Sequence, residues 1–366
     1  MQRDDPQLTW WLRLNRTGLE ARKQLSLLRR FGTPEAIFAA RDADLLMTER
    51  ITPVNVERLR ECARWDVRSD LATIERLNLT PLCIHDADYP DRLRTIHDPP
   101  PLLFIYGRLT DADRTSIAIV GTRNASAYGK LVAEKLSSDL ARRGITVVSG
   151  LARGIDTAAH HGALSVQGRT IAVCGCGVDI AYPTENKDLR AKIAQSGAVL
   201  SEFPLSSAPE FWHFPVRNRV ISGLSLGVVV VEAPENSGAL ITADFAAEQG
   251  RETFAVPGNV NSGKSKGCHR LIKDGAKLVE DVEDIVSELG LRVQPRETAI
   301  APQPPAVPLV PVETRVYQIL TLQPKHVDDI TREAALPIAQ THAVLLQLEI
   351  KGLIRRYPGG MFARTT

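Results

Sequence analysis

No apolar run in this 366-residue chain reaches the roughly 18 residues that a membrane-spanning helix needs, and the opening MQRDDPQ is too charged for a secretory signal. Net charge is almost absent as well. Forty-five Lys and Arg against 43 Asp and Glu leave +2, so attraction for a nucleic acid has to come from local clusters rather than the whole-protein field. Cysteine is sparse and odd in number: Cys62, Cys83, Cys174, Cys176 and Cys268 are scattered, which excludes a disulfide framework and suits reduced thiols. Cys174 and Cys176 form a C-x-C without a second ligand pair, which argues against structural zinc. A cytoplasmic protein is expected. Catalytic signatures are missing too: there is no G-x-x-x-x-G-K-[ST] loop, no H-E-x-x-H and no G-x-S-x-G. Asn261 to Gly267, NSGKSKG, has the Gly-Lys-Ser of a P-loop without its leading glycine. His160 and His161 have no Cys or carboxylate at ligand spacing, so a packing or surface role is expected for them, with no metal and no cofactor.

What is present is a globular composition, 43% hydrophobic and 24% charged, arranged in distinct regions. Residues 1–75 carry apolar positions at three and four spacing, broken at Gly32 and Pro34, and read as a small helical domain of sterile-alpha-motif-like character. Residues 76–290 open with a strand, a turn and an extended Pro99–Pro101 entry. They continue with apolar runs at 117–120, 146–149, 171–174, 198–201, 227–232 and 253–256. Amphipathic segments such as KLVAEKLSSDLARRG separate the runs, the pattern of an α/β, doubly wound, Rossmann-like parallel sheet. Residues 291–311 are a linker rich in Pro and Ala. Residues 312–366 give three helix patterns, a strand, a Pro-Gly-Gly turn and a second strand, the order of a winged helix. Its recognition-helix position, IAQTHAVLLQLEIKG, exposes Gln, Thr, His and Glu in place of Arg and Lys, which leaves a protein contact and a DNA contact equally open.

Ligands of parallel α/β sheets gather at the carboxyl ends of strands, where helix amino termini favour anions. Here those ends carry unusual residues. After the run 117–120 come Gly121, Thr122 and Arg123, with an arginine where a dinucleotide fold would place its second glycine. The next turn, VVSGLARGID, offers Ser149, Gly150 and Gly154, and a third holds Gly175, Gly177, Tyr182, Asn186 and Lys187. In a fourth, Ser237 and Gly238 precede a helix start. Between them lies EFWHFPVRNRVISGLS, in which Phe211 to Phe214 offer stacking faces. Arg217, Asn218 and Arg219 follow on a helix expected to open after Pro215, and arginines beside aromatics suit a single-strand binder. Glu232, at a strand end, is the carboxylate to inspect for chemistry or for orienting a loop. A structural alternative for Arg123 is an ion pair with Asp156.

Taken in order, IAIVGTRNASAYG, VVSGLARGIDTAAHHGAL, YPTENKDL, SEFPL, FPVRNRVISGLS, VVVVEAPENSGALITADFAAEQGRETFAVPG and SKGCHRLIKDGAKLV resemble the DNA-processing protein A (DprA/Smf) family. The resemblance covers the α/β region almost entirely. It implies a non-enzymatic, homodimeric protein that binds incoming single-stranded DNA in natural transformation and loads the RecA recombinase onto it. Carried over, the binding arginine falls on Arg123, its pocket on Ser149, Gly150 and Gly154, and a second basic patch on Lys187, Arg217 and Arg219. Gly121, Thr122, Phe214, Asn218, Ser237 and Gly238 complete the expected DNA-binding set. An enzyme of the lysine-decarboxylase-like phosphoribohydrolase group is the alternative, though its P-G-G-x-G-T motif is absent and EAPENSGALIT stands in the comparable place. A structural adaptor that binds no DNA is the third reading.

Overall fold

The computed structural model describes residues 6–291, 309–321 and 324–365. Six helices open the chain: α1 (Pro6–Arg16), α2 (Ala21–Phe31), α3 (Pro34–Ala39), α4 (Asp42–Leu46), α5 (Pro53–Ala63) and α6 (Arg68–Arg76). Thr33 and Thr52 cap α3 and α5, each of which starts on a proline, where the missing N–H costs nothing. One face of this bundle buries Leu14, Leu27, Ile37, Leu45 and Leu59.

Next come β1 (Thr80–Cys83), α7 (Asp91–Arg94) and β2 (Leu102–Gly107), and then a regular alternation. Its first half is β3 (Ser116–Val120), α8 (Ala127–Arg142), β4 (Thr146–Ser149), α9 (Ile155–Ser165), β5 (Thr170–Val173), α10 (Lys187–Ser196) and β6 (Ala198–Ser201). Its second half is α11 (His213–Leu224), β7 (Gly227–Val230), α12 (Gly238–Glu248), β8 (Glu252–Ala255), α13 (Lys266–Lys273), β9 (Lys277–Leu278) and α14 (Val282–Glu288). The strands form one sheet in the order β1-β2-β6-β5-β4-β3-β7-β8-β9. From β6 to β9 neighbouring strands are parallel, while β2 runs antiparallel to both β1 and β6. The chain steps outward from β3 to β6 and then returns to lay β7 on the other flank of β3. Strand order therefore reverses between β3 and β7, and loops leaving their carboxyl ends diverge to open a crevice.

Alternate side chains of β3 enter opposite layers, as a strand's period of two requires. Ile117 and Ile119 pack with Leu136 of α8, Ala159 of α9 and Ile285 of α14. Ala118 and Val120 pack in the layer that holds Ile193 of α10, Ile221 of α11 and Ala243 of α12, and this layer is continuous with the core of the amino-terminal helices. The fold is the expected mixed α/β architecture. Two details differ from the sequence reading. Val231 and Glu232 have already left β7, and α11 opens at His213, so Pro215 lies in its first turn, where a proline is tolerated.

The tail folds around its own core of Val316, Ile330, Leu345, Leu348 and Phe362. Its elements are α15 (Pro311–Ile319), β10 (Lys325–His326), α16 (Val327–Ala334), α17 (Ile338–Ile350), β11 (Ile354–Tyr357) and β12 (Met361–Arg364), with strand order β10-β12-β11. This is a winged helix. The two-residue β10 is too short to leave a periodic signal in sequence. On α17, Thr341 is buried, and the exposed face carries Ile338, His342, Leu346 and Ile350, so it is more apolar than expected. Of the expected linker, 292–308 lie outside the described residues. Among the described residues no helix is long and apolar enough to cross a membrane.

Candidate nucleic-acid interface

The turn after β3 is fastened on two sides. The Thr122 N–H donates to the Glu232 carbonyl at 2.7 Å, and the Ile155 N–H donates to the Thr122 carbonyl at 3.3 Å. Gly154, with φ of 80°, allows this approach: a Cβ there would stand 2.3 Å from the Thr122 carbonyl oxygen and 2.6 Å from that of Arg123. Thr122 turns its hydroxyl inward to accept from the Asn124 N–H at 3.2 Å. The Glu232 carboxylate accepts from the N–H of Ser126 at 2.9 Å and from its hydroxyl at 2.5 Å, while that hydroxyl caps α8. Glu232 thus has the loop-orienting role, each of its oxygens engaged by Ser126.

Arg123 leaves this rigid turn exposed, its guanidinium over the Phe214 ring at 4.7 Å from the centroid. The ring of Phe214 lies 5.7 Å from that of Tyr182, and Gly175 makes room for it, because a Cβ at 175 would meet Cδ1 of Phe214 at 2.8 Å. The result is a guanidinium–aromatic–aromatic layer at the rim, the arrangement on which a base or a phosphate can settle.

On α11 the expected basic triplet splits between two directions. Arg217, 4% exposed, plugs the ends of β4 and β5: its guanidinium donates to the carbonyls of Gly150, at 2.6 Å, and Val173, and Nε donates to Asn218 at 3.1 Å. Asn218 in turn donates to the Gly238 carbonyl at 3.2 Å, tying α11 to the start of α12. Arg219 is buried away from the rim, paired with Glu202 and, at 3.2 Å, with Asp98 of the entry to β2. Arg219 therefore does not join the basic patch expected of it. Helical geometry is the reason, since successive residues stand about 100° apart and cannot share a face.

Of the remaining predicted residues, Ser149 is wholly buried, its hydroxyl donating to the Ile119 carbonyl at 2.6 Å, so it serves the sheet and offers no donor to a ligand. Gly150 borders a small pocket with Arg123, Tyr182 and Phe214. Ser237 accepts from the Ala239 N–H to cap α12, with Gly238 exposed beside it. Lys187 is exposed at the first position of α10 but outside the lining of the groove at the switch point. Behind it Asn186 is buried, donating to the Leu151 carbonyl at 3.0 Å and so bracing the β4–α9 turn. His160 is buried against the Thr170 hydroxyl at 2.7 Å, and burial pushes it down to about 3, so it is a neutral packing residue.

That groove, about 1020 Å³, runs from Gly121, Thr122 and Arg123 past Phe211, Phe214, Arg217 and Asn218 to Ser237 and Gly238. Its far wall carries Lys266 and Arg270, which sequence reasoning passed over. Arg153, on the edge of the smaller pocket and paired with Glu185 at 2.5 Å, was also missed. Basic residues at i and i+4 after a strand end were the available signal. Asp156 lies in the groove as well. It forms no ion pair with Arg123 among the described residues and instead accepts from the N–H groups of Gly150, at 3.1 Å, and Ala152, at 3.3 Å. Burial raises its pKa to about 6, against the opposing pull of Arg217, the two amides and Arg123.

Residues 80–290 match the family model described as DNA recombination-mediator protein A, and residues 300–360 match that of the DprA winged helix domain. The chain belongs to the DprA/Smf family. Protein Smf of Escherichia coli is 38% identical over 327 residues, covering 87% of this chain and 86% of that protein. The DNA processing protein DprA of Streptococcus pneumoniae is 47% identical over 205 residues, 56% of this chain and 72% of that one. Among solved structures, the DprA of S. pneumoniae aligns with a TM-score of 0.66 at 40% identity, covering 76% of this chain and 97% of its own. A DprA from Helicobacter pylori, whose structure is described as giving insight into a unique single-stranded DNA binding mode, aligns with a TM-score of 0.54 at 30% identity. It covers 60% of this chain and 98% of its own. In this DprA-family chain the matched region contains β1 to α14, and with them every residue of the groove.

Proposed function

We propose that this chain is a recombination mediator that binds single-stranded DNA along the carboxyl rim of its sheet. As a cytoplasmic homodimer it then delivers the strand to a RecA recombinase during natural transformation. The observation that carries the reading is Arg123: a solvent-exposed guanidinium on a rigid turn, stacked at 4.7 Å over Phe214, with the exposed face of Phe211 in the same groove. A dinucleotide pocket closes on one pyrophosphate through glycine amides. Here Gly121 and Gly154 serve strand–helix packing, and a side chain does the reaching. Separate cationic and aromatic sites suit the repeating phosphates and unstacked bases of one strand, with no ordered set of base-edge readers. Arg123, Phe214, Arg217 and Asn218 are the proposed contacts, with Gly121, Thr122, Gly150, Gly154, Ser237 and Gly238 shaping the surface they stand on. Lys187 is an outlying phosphate contact on the α10 side.

The role is binding, not catalysis. Both buried rim carboxylates, Glu232 and Asp156, are held by N–H or O–H groups of neighbouring loops. Family membership and the single-strand binding described for the H. pylori relative support the DNA reading. A mobility assay comparing single-stranded with duplex DNA over a range of salt tests it, with preference for the single strand expected and equal affinity counting against it. The recombinase role is tested by RecA filament formation on DNA coated with single-strand-binding protein, where no gain on adding this chain removes that part.

A further inference from the structure

The motif SKGCHR, at Ser265 to Arg270, has no part in the Arg123 layer, yet nearly every residue of it is fixed in place. The Gly267 N–H donates to the Ala233 carbonyl at 2.8 Å, and a Cβ at 267 would meet that oxygen at 2.7 Å, so the start of α13 lies flush on the β7–α12 loop. Cys268 is buried, its thiol 3.6 Å from the Val230 carbonyl. His269 reaches back to Gly258 with its Nε2 3.0 Å from the carbonyl oxygen, pinning the loop that leads into the helix. With these anchors the helix cannot roll. Lys266 and Arg270, one turn apart, share the face that lines the groove containing Arg123.

Lys266 is exposed and makes no ion pair among the described residues. Arg270 stands 3.5 Å from Asp274 with both side chains more than half exposed, a pairing too weak and too wet to hold it from a better anion. Glu235 and Asp244 line the same groove, so this is no general basic surface, and an anion is held only where the cations stand. Resting on the reading above, we propose that Lys266 and Arg270 form a second phosphate subsite, on the α13 wall of the groove, for the same DNA strand that Arg123 contacts. A strand long enough to extend from the Arg123 layer to α13 is held at two places, and a shorter one at Arg123 alone.

The test uses the full chain and oligothymidylates of increasing length, with affinity measured against salt. Lys266→Ala is expected to weaken long oligomers about five- to a hundred-fold and to lower the slope of log affinity against log salt by about 0.7, leaving the shortest binding oligomers unchanged. Lys266→Arg restores the wild-type values. Thermal melting confirms that the variant folds, as its exposed position at the start of α13 predicts. Lys264→Ala, in the loop before α13 and outside the groove lining, is the control for general charge. If Lys266→Ala changes nothing at any length, or Lys264→Ala weakens binding as much, the subsite is wrong. Those results leave the single-strand reading standing while Arg123→Ala still weakens binding, and a silent Arg123→Ala overturns both.

Discussion

Arg217 and Arg219 are both buried, but Arg217 lines the groove with its guanidinium on the Gly150 and Val173 carbonyls, whereas Arg219 is turned away from it. Arg219 is buried between Glu202 and Asp98, so removing it strands a Glu202 carboxylate whose side chain is only 12% exposed. Arg219→Ala is expected to lower the unfolding free energy by about 3–5 kcal/mol in urea titration, and an unchanged midpoint would show that the pair is not structural. Asp156 gives the pH dependence. Its raised pKa makes it neutral below about 6 and ionised above, where it competes with phosphate for the field of Arg217 and Arg123. Bound phosphate favours the protonated carboxyl further, so affinity for single strands is expected to rise as pH falls through about 6. Asp156→Asn flattens that rise, and an identical profile in wild type and variant would dismiss the coupling.

At the scale of elements, strand ends were readable because burial on both faces leaves continuous apolar runs, and the glycine turns that follow them mark the rim. What was not readable is the rotation of α11. Arg217, Asn218 and Arg219 are adjacent in sequence, but only packing against β4, β5 and the entry to β2 decides which of them faces the groove. The Ser149 hydroxyl misled for a similar reason: a polar residue at a strand end looks available until the Ile119 carbonyl beside it is seen. Glu232 was legible as a loop-orienting candidate, since a carboxylate just past a strand end lies near the helix starts of neighbouring strands, here the N–H and hydroxyl of Ser126 that open α8. Lys266 was hidden by its context. The Gly-Lys-Ser of NSGKSKG points to a phosphate loop that the missing leading glycine excludes, and only the fold brings α13 to the wall of the groove. The short β10 left no pattern to read.

For the whole molecule, the proposed reading is that the α/β region binds the single strand and the tail stands apart. The winged helix has a separate core, and its α17 exposes Ile338, Leu346 and Ile350 without a lysine or arginine among them, a face unsuited to phosphate. Deleting everything after Leu291 is expected to retain most affinity for single strands, as read by fluorescence anisotropy, and a collapse of binding in a folded truncation would move the site to the tail. On the proposed reading Arg123, standing exposed over Phe214 at the switch point, grips a DNA phosphate. The most direct measurement is the salt dependence of single-strand affinity for wild type and Arg123→Ala, paired with their melting curves. Unchanged melting, a loss of about 1–3 kcal/mol for every DNA sequence alike and a slope lower by about 0.7 are expected. An Arg123→Ala protein that melts early yet binds with the wild-type slope would contradict that reading.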